Sequence, residues 1–189
     1  MNASKKQILE KALLLFIKNG FNGVSLTDIL KEVKLSKGSF YYYFTSKEKC
    51  FEECVVHFLS NTQVDFVHEK STSLYEFIEQ NLQRTSINVK EIDSLDRISF
   101  INDAIKILPG FSEQFSKRHF EELEVWSKIV SQAIESGEIR NILPAEEIAK
   151  LFVYQSDGLV MNQSLRRNTK YLRKEAETAL KSLYNLLKG

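Results

Sequence analysis

The sequence predicts an all-α protein. Apolar residues recur three and four positions apart along most of the chain, which is the spacing that gives a helix one buried face. The alternation of apolar and polar residues that marks half-buried strands does not occur, and the 189 residues include only two prolines and seven glycines. The chain is 43% hydrophobic, enough for a substantial core, but no apolar run is long enough to span a bilayer.

The first helix is predicted from about Lys5 to Asn19. Ser4 and Gln7 have the spacing of a capping box at its start. Gly20 is placed to take the left-handed conformation that ends many helices. Four residues form the apolar stripe, namely Ile8, Ala12, Leu15 and Phe16.

Residues 25–47 predict two short helices joined by a tight turn. Ser25 is a candidate N-cap, and Asp28, three residues later, can return a hydrogen bond to it. Ser36 can cap a second helix that runs from Lys37 to about Phe44. The apolar stripe of the first of these helices consists of Leu26, Ile29, Leu30 and Val33.

The helix from Lys37 has an outward face of unusual composition. Phe40 and Phe44 share the side that faces the preceding helix, so Gly38 and Tyr42 lie on the opposite side. Helix-turn-helix proteins insert such a second helix into the major groove of DNA, where a glycine lets the backbone approach closely. An ordinary helical hairpin with a solvated aromatic face is the alternative interpretation.

Charge is distributed unevenly along the chain. Residues 1–50 contain nine lysines and four acidic residues, a net charge of +5, whereas residues 51–189 carry 17 basic and 21 acidic residues, a net charge of −4. A basic N-terminal segment on an acidic remainder indicates an anion-binding module attached to a part that does not bind the same anion.

The segment from Ile8 to Phe51 resembles the DNA-binding domain of the TetR/AcrR family of transcriptional regulators. The matching positions are the Ile8, Ala12, Leu15 and Phe16 stripe, Gly20-Phe21, residues 25–29, residues 36–44 and residues 46–48. One departure is Lys34, in a turn where many members carry glycine. The resemblance implies a three-helix DNA-binding domain over residues 1–47 and a helical effector-binding and dimerisation domain over residues 48–189.

The resemblance also implies roles for individual residues and partners. Base edges or the groove floor would be met by Lys37, Gly38, Ser39, Tyr41 and Tyr42, and phosphates by Ser25, Thr27, Ser36, Tyr43 and Lys47. Since residues 1–50 contain no arginine, specificity would rest on lysine, hydroxyls, thymine methyl groups and DNA shape. The expected function is that of a homodimeric repressor on a palindromic operator in double-stranded DNA, released by a small-molecule effector.

A fourth helix is predicted from Glu48 to about Val67, and it carries both cysteines. Cys50, Cys54 and His57 share one face, which could form a metal half-site or a thiol sensor. We favour buried thiols in the core, because free cysteine behaves as a small hydrophobe. Two cysteines four residues apart are no disulfide framework, which indicates a reducing cytoplasm.

Five further helices are predicted over residues 74–87, 95–108, 111–136, 144–165 and 170–187. Gly137 ends the third of these, and Pro144 is expected as the first residue of the next. The last two helices are apolar over more than one packing face, and proteins of the family dimerise there through a four-helix bundle. The residues assigned to this interface are Leu159, Leu172, Ala176, Leu180 and Leu183.

The middle helices are rich in aromatic residues, which suits either a plain core or an apolar pocket for an amphipathic effector. The family hosts its effector in this part of the chain, but its sequence varies too much there to carry over any one residue. The candidates are Phe77, Phe100, Asp103, Phe115, His119, Trp126, Phe152 and Gln155.

Catalysis is not indicated. The three histidines are scattered along the chain, and the sequence has no complete nucleophile motif or metal-ligand spacing and no glycine-rich phosphate loop, so no enzyme and no cofactor is expected. The other function class considered is a helical adaptor that binds a protein through its N-terminal segment. The basic charge of that segment favours nucleic acid instead.

Overall fold

The computed structural model describes residues 3–62, 71–87, 94–166 and 172–189. These residues form nine helices: α1 (Ala3–Asn19), α2 (Leu26–Val33), α3 (Lys37–Tyr43), α4 (Lys47–Thr62), α5 (Leu74–Ile87), α6 (Ser94–Ile107), α7 (Phe111–Glu135), α8 (Ala145–Leu165) and α9 (Leu172–Leu187). The described ranges contain no strand, only an isolated antiparallel bridge between Ile139 and Lys188. The predicted all-α class is confirmed. The predicted end of α4 at Val67 and the predicted start of α9 at Lys170 lie outside the described residues.

The chain divides into two compact units. The first comprises Met1–Gln63 and Asp96–Ser112, and therefore holds α1 to α4 together with most of α6. The second comprises Val64–Leu95 and Glu113–Gly189, with α5, α7, α8 and α9. This division by compactness differs from the functional boundary after residue 47, which stays a prediction.

The core of the first unit is built around the ring of Phe51 on α4. This ring lies 5.1 Å from the ring of Phe16 on α1, 4.9 Å from that of Phe21, and 5.3 Å from that of Phe100 on α6, measured between centroids. All four side chains are buried. Edge-to-face aromatic pairs of this kind stabilise by about 0.5–1.5 kcal/mol each beyond the area they bury.

The ends of α2 and α3 follow the predicted caps. The Ser25 hydroxyl accepts a hydrogen bond from the Asp28 amide, while the Asp28 carboxylate accepts one from the Ser25 amide, so the capping box is complete. The Ser36 hydroxyl accepts from the Ser39 amide at the start of α3. Lys34 ends α2 in the left-handed conformation, with φ of 56° and ψ of 42°, and the Leu35 amide then donates to the Leu30 carbonyl, 3.2 Å away.

The link between α1 and α2 requires two glycines. Gly20 has φ of +71°, as predicted for the residue that ends α1. At Gly23 a Cβ atom would lie 2.2 Å from the carbonyl oxygen of Asn19, a distance that no side chain can occupy. The link therefore turns tightly against the last turn of α1.

The second unit packs α5, α7, α8 and α9 around a single core. Trp126 lies at its centre, with its ring 4.7 Å from that of Phe77 and stacked at 5.3 Å on that of Phe152. The end of α7 at Gly137, with φ of +77°, is as predicted. Pro144 is the N-cap of α8 and not its first residue, because its ψ is extended at 142° and its carbonyl accepts the hydrogen bond from the Ile148 amide.

The left-handed Lys34 predicts a stabilising substitution. A side chain in this conformation costs roughly 1–2 kcal/mol, whereas glycine adopts it freely and gives back about 0.5–1 kcal/mol in chain entropy. We expect Lys34→Gly to raise the free energy of unfolding by about 0.5 kcal/mol in urea denaturation. The control is Lys31→Gly inside α2, which should lower it by about 1 kcal/mol. Equal loss in both variants would mean that Lys34 is not strained.

Candidate nucleic-acid interface

Helix α3 presents the face that the sequence predicted for contact with DNA. Phe40 is fully buried, whereas Tyr41 and Tyr42 project into solvent, with Tyr42 79% exposed. Lys37 and Gly38 at the start of the helix are exposed as well. The outward surface of α3 therefore presents the Lys37 ammonium group, the backbone at Gly38, and the phenol rings of Tyr41 and Tyr42.

The start of α3 is held by serine hydroxyls. The Ser36 hydroxyl lies 2.9 Å from the Ser39 hydroxyl and accepts from the Ser39 amide at 3.2 Å. At Gly38, an added Cβ would meet only the Ser36 hydroxyl, 3.9 Å away, so the helix surface there is open. The Lys37 ammonium lies 5.9 Å from the centroid of the Tyr41 ring. Tyr43 is half-buried beside the exposed Tyr42 and packs its ring edge-on against it.

At the start of α2, the Ser25 hydroxyl is already hydrogen-bonded within the helix end, whereas Thr27 is exposed. The Ser25 hydroxyl donates to the Asp28 carboxylate at 2.5 Å, so it would have to exchange this partner to meet a phosphate. The hydrogen bonds from the Ser25 hydroxyl and amide hold the pKa of the Asp28 carboxyl below its usual value. Thr27 is exposed at the same helix end.

The lysines of the first unit differ in their pairing. Lys5, Lys6, Lys11 and Lys49, on α1 and α4, form ion pairs with glutamates. Lys31, Lys34 and Lys37 lie at the end of α2, in the turn and at the start of α3. No ion pair to any of these three occurs in the described part of the chain. The helix-turn-helix therefore carries three lysines whose charge is not compensated by an ion pair within the described residues.

Lys47, predicted as a phosphate contact, has a different environment. Its ammonium donates to the carbonyl of Phe21 at 3.0 Å and to that of Val24 at 2.9 Å. The same ammonium lies 3.9 Å from the centroid of the Phe21 ring. Hydrogen bonds from a charged donor contribute about 1.5–3 kcal/mol each, so releasing Lys47 to a phosphate would be costly.

Asp103, predicted as an effector contact, lies in the first unit and binds backbone. Its carboxylate accepts a hydrogen bond from the Phe21 amide at 2.8 Å. Sequence reasoning missed this role, although one signal was available. The end of α1 at Gly20 leaves the next amide without a helical acceptor.

The other effector candidates fall into separate environments. Phe100 belongs to the core of the first unit, and Phe77, Trp126 and Phe152 pack on one another in the core of the second. Phe115 is exposed, and His119 stacks on the exposed ring of Tyr154. The structure thus does not bring these residues together in one place, and their role in effector binding stays a prediction.

Gln155 lines an open groove in the second unit. The groove has a volume of about 490 Å³ and is formed by residues of α8 and α9, namely Glu147, Lys150, Leu151, Tyr154, Gln155 and Leu183. Among the described residues, the buried side-chain oxygen of Gln155 has no hydrogen-bond partner. Its lining combines Leu151, Tyr154 and Leu183 with the Gln155 amide and the ion pair between Glu147 and Lys150.

Glu122 on α7 is an acid with an altered proton affinity. Burial raises its pKa to about 7, and the negative charge of Asp157 on α8 adds to this effect, while Arg118 opposes it. Because ionised Glu122 is disfavoured in the folded chain, its burial lowers stability as the pH rises from 4.5 through about 7.

The residues assigned to the dimer interface mostly face the protomer's own core. Leu180 is 3% exposed and Ala176 is buried, while Leu159 and Leu183 are half-buried against the same core. The side chain of Leu172 lies outside the described residues. A different set of apolar residues on α8 is exposed, namely Leu151, Tyr154, Met161 and Leu165.

The two cysteines are buried side chains of α4. Both are free thiols with no exposed surface. Burial raises the pKa of the Cys54 thiol well above its usual value. Since the thiolate is the reactive and metal-binding form, this environment disfavours redox sensing and metal binding.

In the described parts of the chain, no three His, Cys, Asp or Glu side chains converge as metal ligands would. None of the described helices has the length and apolar character needed to cross a membrane.

Comparison with known proteins gives matches over the same N-terminal region and over the whole fold. Residues 8–54 match the family described as bacterial regulatory proteins, tetR family. The chain is similar to YfiR of Bacillus subtilis, an uncharacterised helix-turn-helix-type transcriptional regulator. The two share 25% identity over 160 residues, which cover 82% of this chain and 78% of YfiR.

Two further proteins are informative. IcaR of Staphylococcus aureus, the helix-turn-helix-type negative transcriptional regulator of the biofilm operon icaADBC, is 34% identical over 80 residues, covering 39% of this chain and 43% of IcaR. A transcriptional regulator from Saccharomonospora viridis, solved in complex with choline, has a TM-score of 0.75 at 18% identity. The match covers 94% of this chain and 95% of that one. At this identity the likeness establishes the fold alone.

Proposed function

The chain belongs to the TetR family of bacterial regulatory proteins and is a DNA-binding transcriptional regulator, and we propose that it is a homodimeric repressor on a palindromic operator. The outward face of α3 carries the proposal. Lys37, Tyr41 and Tyr42 are exposed on a helix whose opposite side is anchored by buried Phe40, within the region that matches the family. Members of the family are regulators and not enzymes, and we place this one in the cytoplasm with its DNA.

Repression is favoured by the similarity to IcaR, a negative regulator. A repressor acts by occupying DNA. Occupation requires affinity for DNA and a defined position along it, but no enzymatic step. Affinity for DNA would come from the lysines near α3 that lack ion pairs. The position of the protein along the duplex would be fixed by phosphates at the capped N-termini of α2 and α3.

Dimerisation is proposed through α8. Leu151, Tyr154, Gly158, Met161 and Leu165 are spaced alternately by three and four residues, so they form one stripe along the helix. The four large side chains of the stripe are exposed on the protomer, and the groove beside Leu151 and Tyr154 continues it towards Leu183 on α9. A second copy packing on this stripe would complete a four-helix bundle and present two α3 helices to two half-sites.

An apolar or amphipathic effector is proposed for the second unit. The groove at Gln155 offers an unpaired carbonyl oxygen beside Tyr154 and aliphatic side chains. It shares Leu151 and Tyr154 with the proposed dimer stripe, so an effector bound there would lie at the edge of the dimer interface. A regulator of similar fold, from Saccharomonospora viridis, was solved in complex with choline, which supports a small organic cation as a candidate effector. An effector would act by favouring the dimer geometry that does not fit the operator.

The DNA-binding proposal is tested by Lys37→Ala. If Lys37 contacts a base, binding to an operator selected from random duplexes should weaken by about 1–3 kcal/mol, and binding to random duplex by less. Fluorescence anisotropy measures both affinities, and Lys128→Ala on α7 is the control that should change neither. An equal loss on both duplexes would make Lys37 a phosphate contact, and no loss on either would refute the proposed role of α3.

The dimer proposal is tested by Met161→Glu. Met161 is 46% exposed, so the protomer should still fold, but a charge buried between two copies should weaken dimerisation by about 3 kcal/mol. Sedimentation equilibrium should show monomers, and operator binding should fall with them. Thr178→Glu on the exposed side of α9 is the control. A Met161→Glu variant that remains dimeric would place the interface elsewhere, whereas Leu180→Glu is uninformative because it disrupts the protomer's core.

The effector proposal is tested by thermal shift with choline-like cations and apolar amphiphiles. A compound present at about 100 times its dissociation constant should stabilise the wild-type protein by about 2.7 kcal/mol. Gln155→Leu should remove this stabilisation, and Gln132→Leu, at an exposed position of α7, should retain it. If no compound raises the melting temperature of the wild type, the effector proposal fails.

A further inference from the structure

The link from Gly20 to Val24 joins α1 to the helix-turn-helix, and its second amide, that of Phe21, is bound by a residue outside the link. The Gly20 amide donates to the Phe16 carbonyl at 2.9 Å and closes the end of α1. At the end of α2, by contrast, the helix's own Leu30 carbonyl also accepts the following amide. At the end of α1 the corresponding amide, that of Phe21, is accepted by Asp103 of α6 at 2.8 Å.

The carbonyl side of the link is bound by α4. The Lys47 ammonium donates to the carbonyls of Phe21 and Val24 at 3.0 and 2.9 Å, and it lies 3.9 Å from the Phe21 ring centroid. Phe21 is thus held at its amide by an anion and at its carbonyl by a cation. Each charge faces a backbone group of opposite partial charge, the carboxylate an N–H and the ammonium a C=O.

The ring of Phe21 is anchored to the same helices. It lies 4.9 Å from the Phe51 ring on α4, and Phe51 in turn lies 5.3 Å from the Phe100 ring on α6. The backbone of Phe21 is therefore bound by α4 and α6, whereas its ring packs on Phe51 of α4 and reaches α6 only through that ring. The chain then enters α2 directly, because Val24 is followed by the Ser25 cap.

We propose that Lys47 and Asp103 are positioning residues that clamp the Phe21 link, and that they set the orientation of α2 and α3 on α4 and α6 without touching DNA. The inference rests on the proposed DNA-binding function of α3. It also gives Lys47 a role other than the phosphate contact expected from the sequence. The clamp contacts are all within the first unit.

The Asp103 half of the clamp is tested on the DNA-free protein by amide hydrogen exchange. In the wild type the Phe21 amide should exchange slowly. Asp103→Leu, which fills similar space without an acceptor, should remove this protection, while Asp103→Asn keeps an acceptor oxygen and should largely retain it. The neighbouring exposed Asn102→Leu is the control. Unchanged exchange at Phe21 in Asp103→Leu would overturn the proposal.

The Lys47 half is tested by the salt dependence of binding to a 30-base-pair random duplex, a length of about three helical turns. A variant that loses one phosphate contact lowers the magnitude of the slope of log affinity against log salt by about one unit. Lys37→Met shows this change for comparison if Lys37 contacts a phosphate. Lys47→Met should instead weaken binding about tenfold at unchanged slope, because the link loses two charged hydrogen bonds. Lys49→Met on the same helix is the control. A slope reduced by about one unit in Lys47→Met would overturn the proposal.

A measurement on the wild type covers the case in which Lys47→Met does not fold. Reductive methylation of the free protein should modify the exposed Lys49 rapidly and the clamped Lys47 slowly, as read by mass spectrometry of peptides. Equal rates at the two lysines would overturn the clamp. The outcome for the clamp is separable from that for DNA binding, because the exchange and methylation measurements contain no DNA. A wild type that binds no duplex would refute only the proposed function.

Discussion

The first unit depends on the hydrogen bonds that the amide and the carbonyl of Phe21 form with other helices. A five-residue link joins α1 to the helix-turn-helix. Asp103 from α6 binds its Phe21 amide, and Lys47 from α4 binds its Phe21 and Val24 carbonyls. Buried or half-buried backbone groups must find partners. Here the partners come from other helices, so the local geometry of the link and the packing of α4 and α6 are established together.

Features that depend on neighbouring residues were predictable from the sequence. The capping box of Ser25 and Asp28, the serine cap of α3 and the left-handed Gly20 each involve residues within a few positions of one another. The order of the described helices also follows the apolar spacing, whereas the spacing alone left open whether the aromatic residues form a core or a pocket. The boundary at Pro144 differed by one residue, since proline suits both the cap and the first turn.

Features that depend on distant residues were not predictable in the same way. Lys47 and Asp103 lie 26 and 82 positions from Phe21, and no local pattern distinguishes them from charged residues that stay fully exposed. Helices α8 and α9 posed a related problem. Both carry apolar residues on two sides, so periodicity could not decide whether Leu180 or Leu151 faces the protomer's core. Only the packing of α5 and α7 against them decides this.

The absence of arginine from the first 50 residues has a mechanical consequence. A guanidinium fork fixes direction, because its parallel donors match a guanine edge or a phosphate in one orientation, whereas an ammonium attracts an anion from many angles. Contacts made by lysine therefore fix the distance between protein and DNA but hardly restrict the angle at which the protein lies on the DNA. A DNA-binding surface of this composition must obtain its orientation on DNA from the rigidity of the fold beneath it. That rigidity comes from the tight turn at Gly23, the serine caps of α2 and α3, and the hydrogen bonds to Phe21.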